Sequence, residues 1–167
     1  MTQLARALGA KHAISSTTSH AKAMEAKALG FSEVIDGSCE TLSDGVRRIT
    51  DGNGVDIVID AIGGEVFSGA LATLAPGGTL ITLGYSAGRK TTIDVTDVIW
   101  KSATIKGFLL FAQPPAAWEE AWKTIVRLLQ SSGIKPIVAK TFPLAEAADA
   151  LRHLVEARPF GRVVLNI

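Results

Sequence analysis

Residues 54–67 read GVDIVIDAIGGEVF, and this stretch decides the fold. A nearly continuous apolar run closed by two glycines predicts a parallel strand covered on both faces, because every side chain then meets a helix layer. EVFSGALATL (65–74) continues as a helix, APGG (75–78) as a turn, and TLITLGYSAG (79–88) as a second strand and loop. Strand, helix and strand in that order make a βαβ unit with a right-handed crossover.

The same alternation extends outward in both directions. Upstream, Leu42, Val46 and Ile49 recur at helical spacing, and TDGNG (50–54) ends that helix. SEVID (32–36) reads as a short strand, and residues 21–29 as an alanine-rich helix stopped by Gly30. HAISST (12–17) reads as a strand, and residues 1–8 as a helix stopped by Gly9. Downstream, ATIKGFLLF (103–111) is a strand candidate, and residues 118–129 and 143–157 form amphipathic helices. GRVVLNI (161–167) closes the chain as a strand. The pattern is that of the α/β class with a parallel sheet.

Composition narrows the function classes. A chain of 167 residues, 47% hydrophobic and 20% charged, has room for one packed domain and is not a disordered composition. Its 17 basic and 16 acidic residues nearly cancel without a basic stripe, so nucleic acid is not an expected partner. One cysteine, Cys39, excludes an internal disulfide and a cysteine-cluster zinc site, which makes a reducing cytoplasmic setting the expectation. No apolar run reaches the roughly 18 residues of a membrane span. MTQLARALGA (1–10) is an amphipathic surface helix rather than a secretory signal.

Several segments, in order, carry a family resemblance: QLARALGAKHAISS, KAMEAKALGFSEVID, VRRITDGNGVDIVIDAIGGEVF, LATLAPGGTLITLGYSAG, IKGFLLF, SSGIKPIVAKTFPLAEAADALRHL and PFGRVVLNI. Together they resemble the cofactor domain of medium-chain dehydrogenase/reductases, in the zinc-independent quinone oxidoreductase-like and 2-enoyl thioester reductase-like branch. The resemblance implies a Rossmann-type, doubly wound, mostly parallel sheet that is incomplete at its N-terminus, with the first strand and its glycine-rich turn absent. Residues 1–135 would be the truncated cofactor-binding domain, and 136–167 would return toward a catalytic domain outside these residues. Two strands would then show unpaired edges, a misfolding hazard. The expectation is a shortened piece of a longer reductase.

The end of the strand at residues 12–17 bears on cofactor choice. An NAD site places an acid there for the ribose 2′-hydroxyl, whereas NADP needs room and positive charge. No acid lies between Ser15 and Met24. Ser16, Thr17, Thr18 and Ser19 can donate hydrogen bonds to a phosphate, and Lys22 can add charge. The same residues also read as a helix cap and a solvated lysine. In the resemblance Lys22 falls where NADPH-preferring relatives carry a lysine, while Gly37 replaces a tyrosine that many relatives use at the adenosine phosphate. Asp36 belongs to the next strand and is not the ribose-binding acid. The expected cofactor is NADP, with NADPH preferred over NADH.

Two further rims join the candidate site. Ala61, Ile62, Gly63 and Gly64 end the decisive strand, where small residues allow backbone approach to a ligand or simply make a tight turn. Gly84, Tyr85 and Ser86 resemble the nicotinamide-side loop. Phe108, Leu109 and Phe111, within the segment from Ala103 to Phe111, resemble the edge strand that meets the nicotinamide amide. In relatives that strand pairs across a two-fold axis, so a homodimer is implied. A plain core strand is the other reading.

Other constellations are weaker. His12, His20 and His153 are scattered without metal-site spacing, so no metal is assigned and each reads as a surface or helix-end histidine. Gly84–Gly88 spells G-x-S-x-G, which a hydrolase would complete with Asp94 or Asp97 and His153. Cys39 reads as structural, and Trp118 and Trp122 share a helix face suited to packing. The resemblance implies hydride transfer from NADPH to a small-molecule electron acceptor, a quinone or an α,β-unsaturated carbonyl or thioester. A zinc-dependent alcohol dehydrogenase is a more distant alternative. No catalytic residue is assigned. The competing class is an inactive fragment acting as a weak nucleotide-binding or dimerisation module.

Overall fold

A computed structural model describes residues 1–167 as seven strands and seven α-helices in near-strict alternation. These are α1 (Thr2–Ala7), β1 (Ser15–Thr17), α2 (His20–Ala28), β2 (Val34–Asp36), α3 (Leu42–Ile49), β3 (Val55–Asp60) and α4 (Gly64–Leu71). There follow β4 (Leu74–Thr82), α5 (Val95–Lys101), β5 (Thr104–Gly107), α6 (Pro115–Gln130), β6 (Val138–Pro143), α7 (Ala147–Glu156) and β7 (Arg162–Asn166). Local chemistry starts several helices. The Ser19 and Thr41 hydroxyls accept from Lys22 N and Asp44 N, and the Asp94 carboxylate from Thr96 N, each satisfying a free N-terminal donor. Helix α5 was not anticipated from the sequence; its Asp94 cap was the available signal.

Every strand pair is parallel, as the α/β reading requires: β1 with β2, β3 with β4 and β5, and β6 with β7. The strands form three separate sheets, so β1 and β3 each keep one unpaired edge. In β3–β4 the register slips between Val55 and Ile57, and APGG (75–78) is carried inside β4 as a bulge rather than as a free turn. Val55 and Val58 of β3, with Phe67, Val98 and Ala103, pack against the buried cluster of Ala70, Leu71, Leu74 and Leu80.

The expectation that 54–60 is covered on both faces is corrected. Ile57 is 62% and Ile59 is 47% exposed, because α4 and α5 pack on the Val58 and Leu80 side and leave the opposite face open. The strand expected over 103–111 is also shorter. It ends at Gly107, and Leu110–Ala112 turns into a 3₁₀ helix. Trp118 and Trp122 both stay exposed, and the Trp118 ring lies 6.3 Å from that of Phe111 between centroids.

A second, smaller core joins α2 to the chain's end. Ala23, Ala26 and Val34 are buried beneath Phe31 and Phe160, whose rings meet edge to face at 5.6 Å. Helix α1 is tied down by Glu33, whose carboxylate accepts from Arg6, from His12 Nδ1 at 2.6 Å and from Ala13 N at 2.7 Å. Partial burial pushes that carboxyl up, and the His12, Ala13 and Arg6 contacts outweigh it, holding the carboxyl below its ordinary value.

Gly45 sets the approach of α3 to β2. A Cβ there would lie 2.7 Å from two carbons of Ile35, which is 1% exposed and has nowhere to move. Overpacking of this kind costs about 1–3 kcal/mol, partly offset by the roughly 1 kcal/mol helix-propensity gain of alanine. Gly45→Ala should therefore lower denaturant-measured stability by up to about 2 kcal/mol; a stabilised variant would refute this packing constraint.

Candidate functional site

The carboxyl ends of β3, β4 and β5 open onto a cleft of about 580 Å³. Asp60, the last residue of β3, is 4% exposed, and its carboxylate accepts from Ile62 N at 2.9 Å and from Gly63 N at 3.0 and 3.2 Å. Thr82 Oγ1 donates to the same group at 3.3 Å, joining the ends of β3 and β4. An aspartate that bonds the backbone two and three residues ahead fixes a turn, so Asp60 shapes the rim at Ile62 and Gly63. Sequence reading missed this residue, although an aspartate ending an apolar strand before small residues was its signal.

Two loops then interlock across the cleft floor. Ala87 N donates to Ile62 O at 2.8 Å, and Gly64 N to Gly88 O at 3.1 Å. Gly63 has φ +69°, and a Cβ on it would lie 2.6 Å from Gly88 O. A Cβ on Gly84 would collide with the Ala61 carbonyl. Close backbone crossing between loops therefore requires glycine at both positions. Gly107 differs, since a Cβ there meets nothing within 4 Å and its absence leaves the cleft open.

Of the residues singled out at this end, Gly63, Gly84, Tyr85, Phe108 and Leu109 line the cleft. Ile62, Ser86 and Phe111 do not line it, and Phe111 is 85% exposed beyond the end of β5. Arg89 and Lys90, which the sequence reading passed over, do line it, and Arg89 lies over the Tyr85 ring at 5.4 Å. The opening is of a size that holds small ligands, and its exposed backbone, Gly107 gap and flanking aromatic rings suit a flat ring.

Ser16, Thr17 and Lys22 lie at a different rim, where β1 runs into α2. Thr17 is in register with Asp36, and Thr17 O accepts from Gly37 N at 2.8 Å. Asp36 is nearly buried, and its carboxylate accepts from Ser38 N at 3.0 Å, Ser38 Oγ at 2.5 Å and His20 Nδ1 at 2.6 Å. The Ser38 hydroxyl first, and the His20 ring second, hold this carboxyl well below the ordinary carboxylate range. Its charge is thus occupied by neighbours rather than offered to a ribose hydroxyl.

One sequence reading changes here. Cys39 is an exposed free thiol 3.5 Å from Asp36 Oδ2, beside His20, rather than a residue of the structural core. His20 is the exposed, helix-end histidine expected, and it also pairs with Asp36. The hydrolase arrangement does not assemble. His153 packs on Phe142, Asp94 caps α5 and Asp97 pairs with Lys101 at 3.1 Å, so none of them serves Ser86. No helix is long and apolar enough to cross a membrane.

Comparison with known proteins follows the same lines. Residues 1–130 match the family described as zinc-binding dehydrogenase. The 2-haloacrylate reductase of Burkholderia sp is 32% identical over 99% of this chain and 50% of its own length. The mycoketide-CoA synthase of Mycobacterium tuberculosis is 31% identical over 98% of this chain but 4% of its own length. Among solved structures, a 2-haloacrylate reductase superposes with a TM-score of 0.82 at 31% identity, over 98% of this chain and 52% of that one. A mycobacterial protein solved with NADPH gives 0.78 at 29% identity, over 99% and 52%. An NAD-dependent alcohol dehydrogenase gives 0.81 at 31%, over 99% and 46%. The chain spans about half the length of the first of these relatives.

Because the Asp36 carboxyl titrates lower in the folded chain than its ordinary 3.8, its contacts lend stability that is complete above that value. That stability is withdrawn as pH falls toward the folded-state value. Denaturant unfolding followed downward from about pH 6 should show wild-type stability falling below pH 3.8, with a shallower fall in Asp36→Asn. Equal slopes in the two proteins would show that Asp36 lends no such stability.

Proposed function

The chain belongs to the zinc-binding dehydrogenase family, and on that premise we propose that it supplies the cofactor-binding part of an NADP(H)-dependent reductase. The observation that carries this reading is the rim of β1 and α2. It holds no free carboxylate, since Asp36 is engaged by His20 and Ser38, and it offers Ser16, Thr17 and Lys22 to a 2′-phosphate. The cleft at β3–β5 would take the nicotinamide end, with Gly63 and Gly84 on its lining, Gly107 leaving backbone room and Tyr85, Phe108 and Leu109 as walls. Ile62, Ser86 and Phe111 would lie around it as secondary contacts.

When bound, the cofactor would supply a hydride to a small electron-poor acceptor. The likeness to 2-haloacrylate reductase favours an activated alkene among the acceptors considered, with quinones and enoyl thioesters in the same chemical range. The residues of this chain bind and orient; none of them is assigned the acceptor's proton. Residues 136–167 would connect to the acceptor-binding part. The exposed outer edge of β5, Thr104–Gly107, is the proposed seam of a homodimer, and the cytoplasm its proposed setting. A second reading, a weak nucleotide-binding or dimerisation module without turnover, is favoured by the unpaired edges of β1 and β3.

Tryptophan-fluorescence titration separates the cofactor claims. A charged hydrogen bond is worth about 1.5–3 kcal/mol, so Lys22→Ala should weaken NADPH binding by roughly tenfold or more and leave NADH unchanged. An equal loss for both nucleotides would sink the 2′-phosphate assignment. Absence of any nucleotide binding by the folded chain would favour the dimerisation form of the second reading.

A further inference from the structure

At the open end of β2, three side chains with different metal-binding chemistry converge. His20 is the first residue of α2, Asp36 the last of β2, and Cys39 lies in the turn that follows. One ligand atom from each falls within 4.8 Å of the other two. No sequence spacing announces this set, because His20 reaches the other two only through the parallel pairing of β1 with β2.

We propose that His20, Asp36 and Cys39 form a site for one borderline divalent cation of the zinc or cobalt class. Imidazole, carboxylate and thiolate are the donors such ions take, and three protein donors leave one tetrahedral position for water. Bond lengths of about 2.0–2.3 Å at a tetrahedral centre place a sulfur about 3.6 Å, and an imidazole nitrogen about 3.4 Å, from a carboxylate oxygen. Cys39 Sγ already lies 3.5 Å from Asp36 Oδ2. His20 Nδ1, at 2.6 Å, must retreat by about 0.8 Å, and its exposed ring is free to do so.

A hydrogen-bonded cap on Asp36 would explain His20 and Ser38, but not the thiol. At 3.5 Å the sulfhydryl adds little to a carboxylate that already accepts three stronger bonds. Seating the ion releases the thiol proton to solvent and leaves the single proton of neutral His20 on Nε2, with no change of oxidation state. The ion would fasten the start of α2 to the end of β2.

The test is a Co²⁺ titration of the 167-residue chain, with far-ultraviolet circular dichroism on the same samples to establish that they are folded. One equivalent of Co²⁺ should give tetrahedral visible bands and a thiolate charge-transfer band, both removed by Zn²⁺. Cys39→Ser should lose the charge-transfer band, and His20→Asn should weaken binding by about tenfold or more, at least what loss of an outer-shell partner costs. His153→Asn should bind as wild type. Folded wild type without these bands, or with bands that persist in Cys39→Ser, overturns the proposal. As a second measure, Zn²⁺ should raise the thermal midpoint of wild type and not of the Cys39→Ser, His20→Asn double variant. An equal rise in both, or none in wild type, also overturns it.

Discussion

The carboxyl end of the three-stranded sheet hangs on where Asp60 sits. Its carboxylate is buried, where an unsatisfied charge would be costly, so it must be met by donors. The donors available are the amides of Ile62 and Gly63 and the hydroxyl of Thr82. Meeting them bends the chain sharply after β3 and pins that bend to the end of β4. Gly63 and Gly84 can then cross neighbouring backbone at distances no side chain would allow. One buried charge thus sets the turn, the loop crossing and the floor of the cleft.

A different balance governs the other rim. Asp36 ends β2 as Asp60 ends β3, and it too is met by its own following loop, through Ser38, but also by a histidine from α2. The consequence is electrostatic. A carboxylate already holding several donors is a poor partner for a further hydroxyl, while the hydroxyls and lysine of the β1–α2 junction lie beside it. The same crowding brings the thiol of Cys39 beside an imidazole.

The packing is uneven in a way that matters for the whole molecule. Leu71, Leu74 and Leu80 form a well-buried centre under α4 and α5, while Ile57 and Ile59 on the far face, and Trp100, Phe111, Trp118 and Trp122 elsewhere, remain in solvent. Large exposed apolar faces are uncommon on isolated soluble domains and mark surfaces that other elements cover.

Sequence alone determined the class and most of the elements. The apolar run at 54–60, the helical spacing of Leu42, Val46 and Ile49 and the alternation through residue 167 depend on local periodicity, which needs no knowledge of distant partners. The glycines at 63 and 84 were legible as special positions for the same reason, but whether a ligand or a neighbouring loop required them was not. Only the tertiary structure decided which face of β3 is covered, that Asp60 shapes the rim, and that His20, Asp36 and Cys39 meet. Each of these depends on parallel strands bringing together residues distant in the chain, and a parallel register is set by side-chain packing and crossover geometry rather than by any local pattern. The bulge in β4 shows the same limit. APGG has the composition of a free turn, and only pairing with β3 on both sides makes it part of a strand.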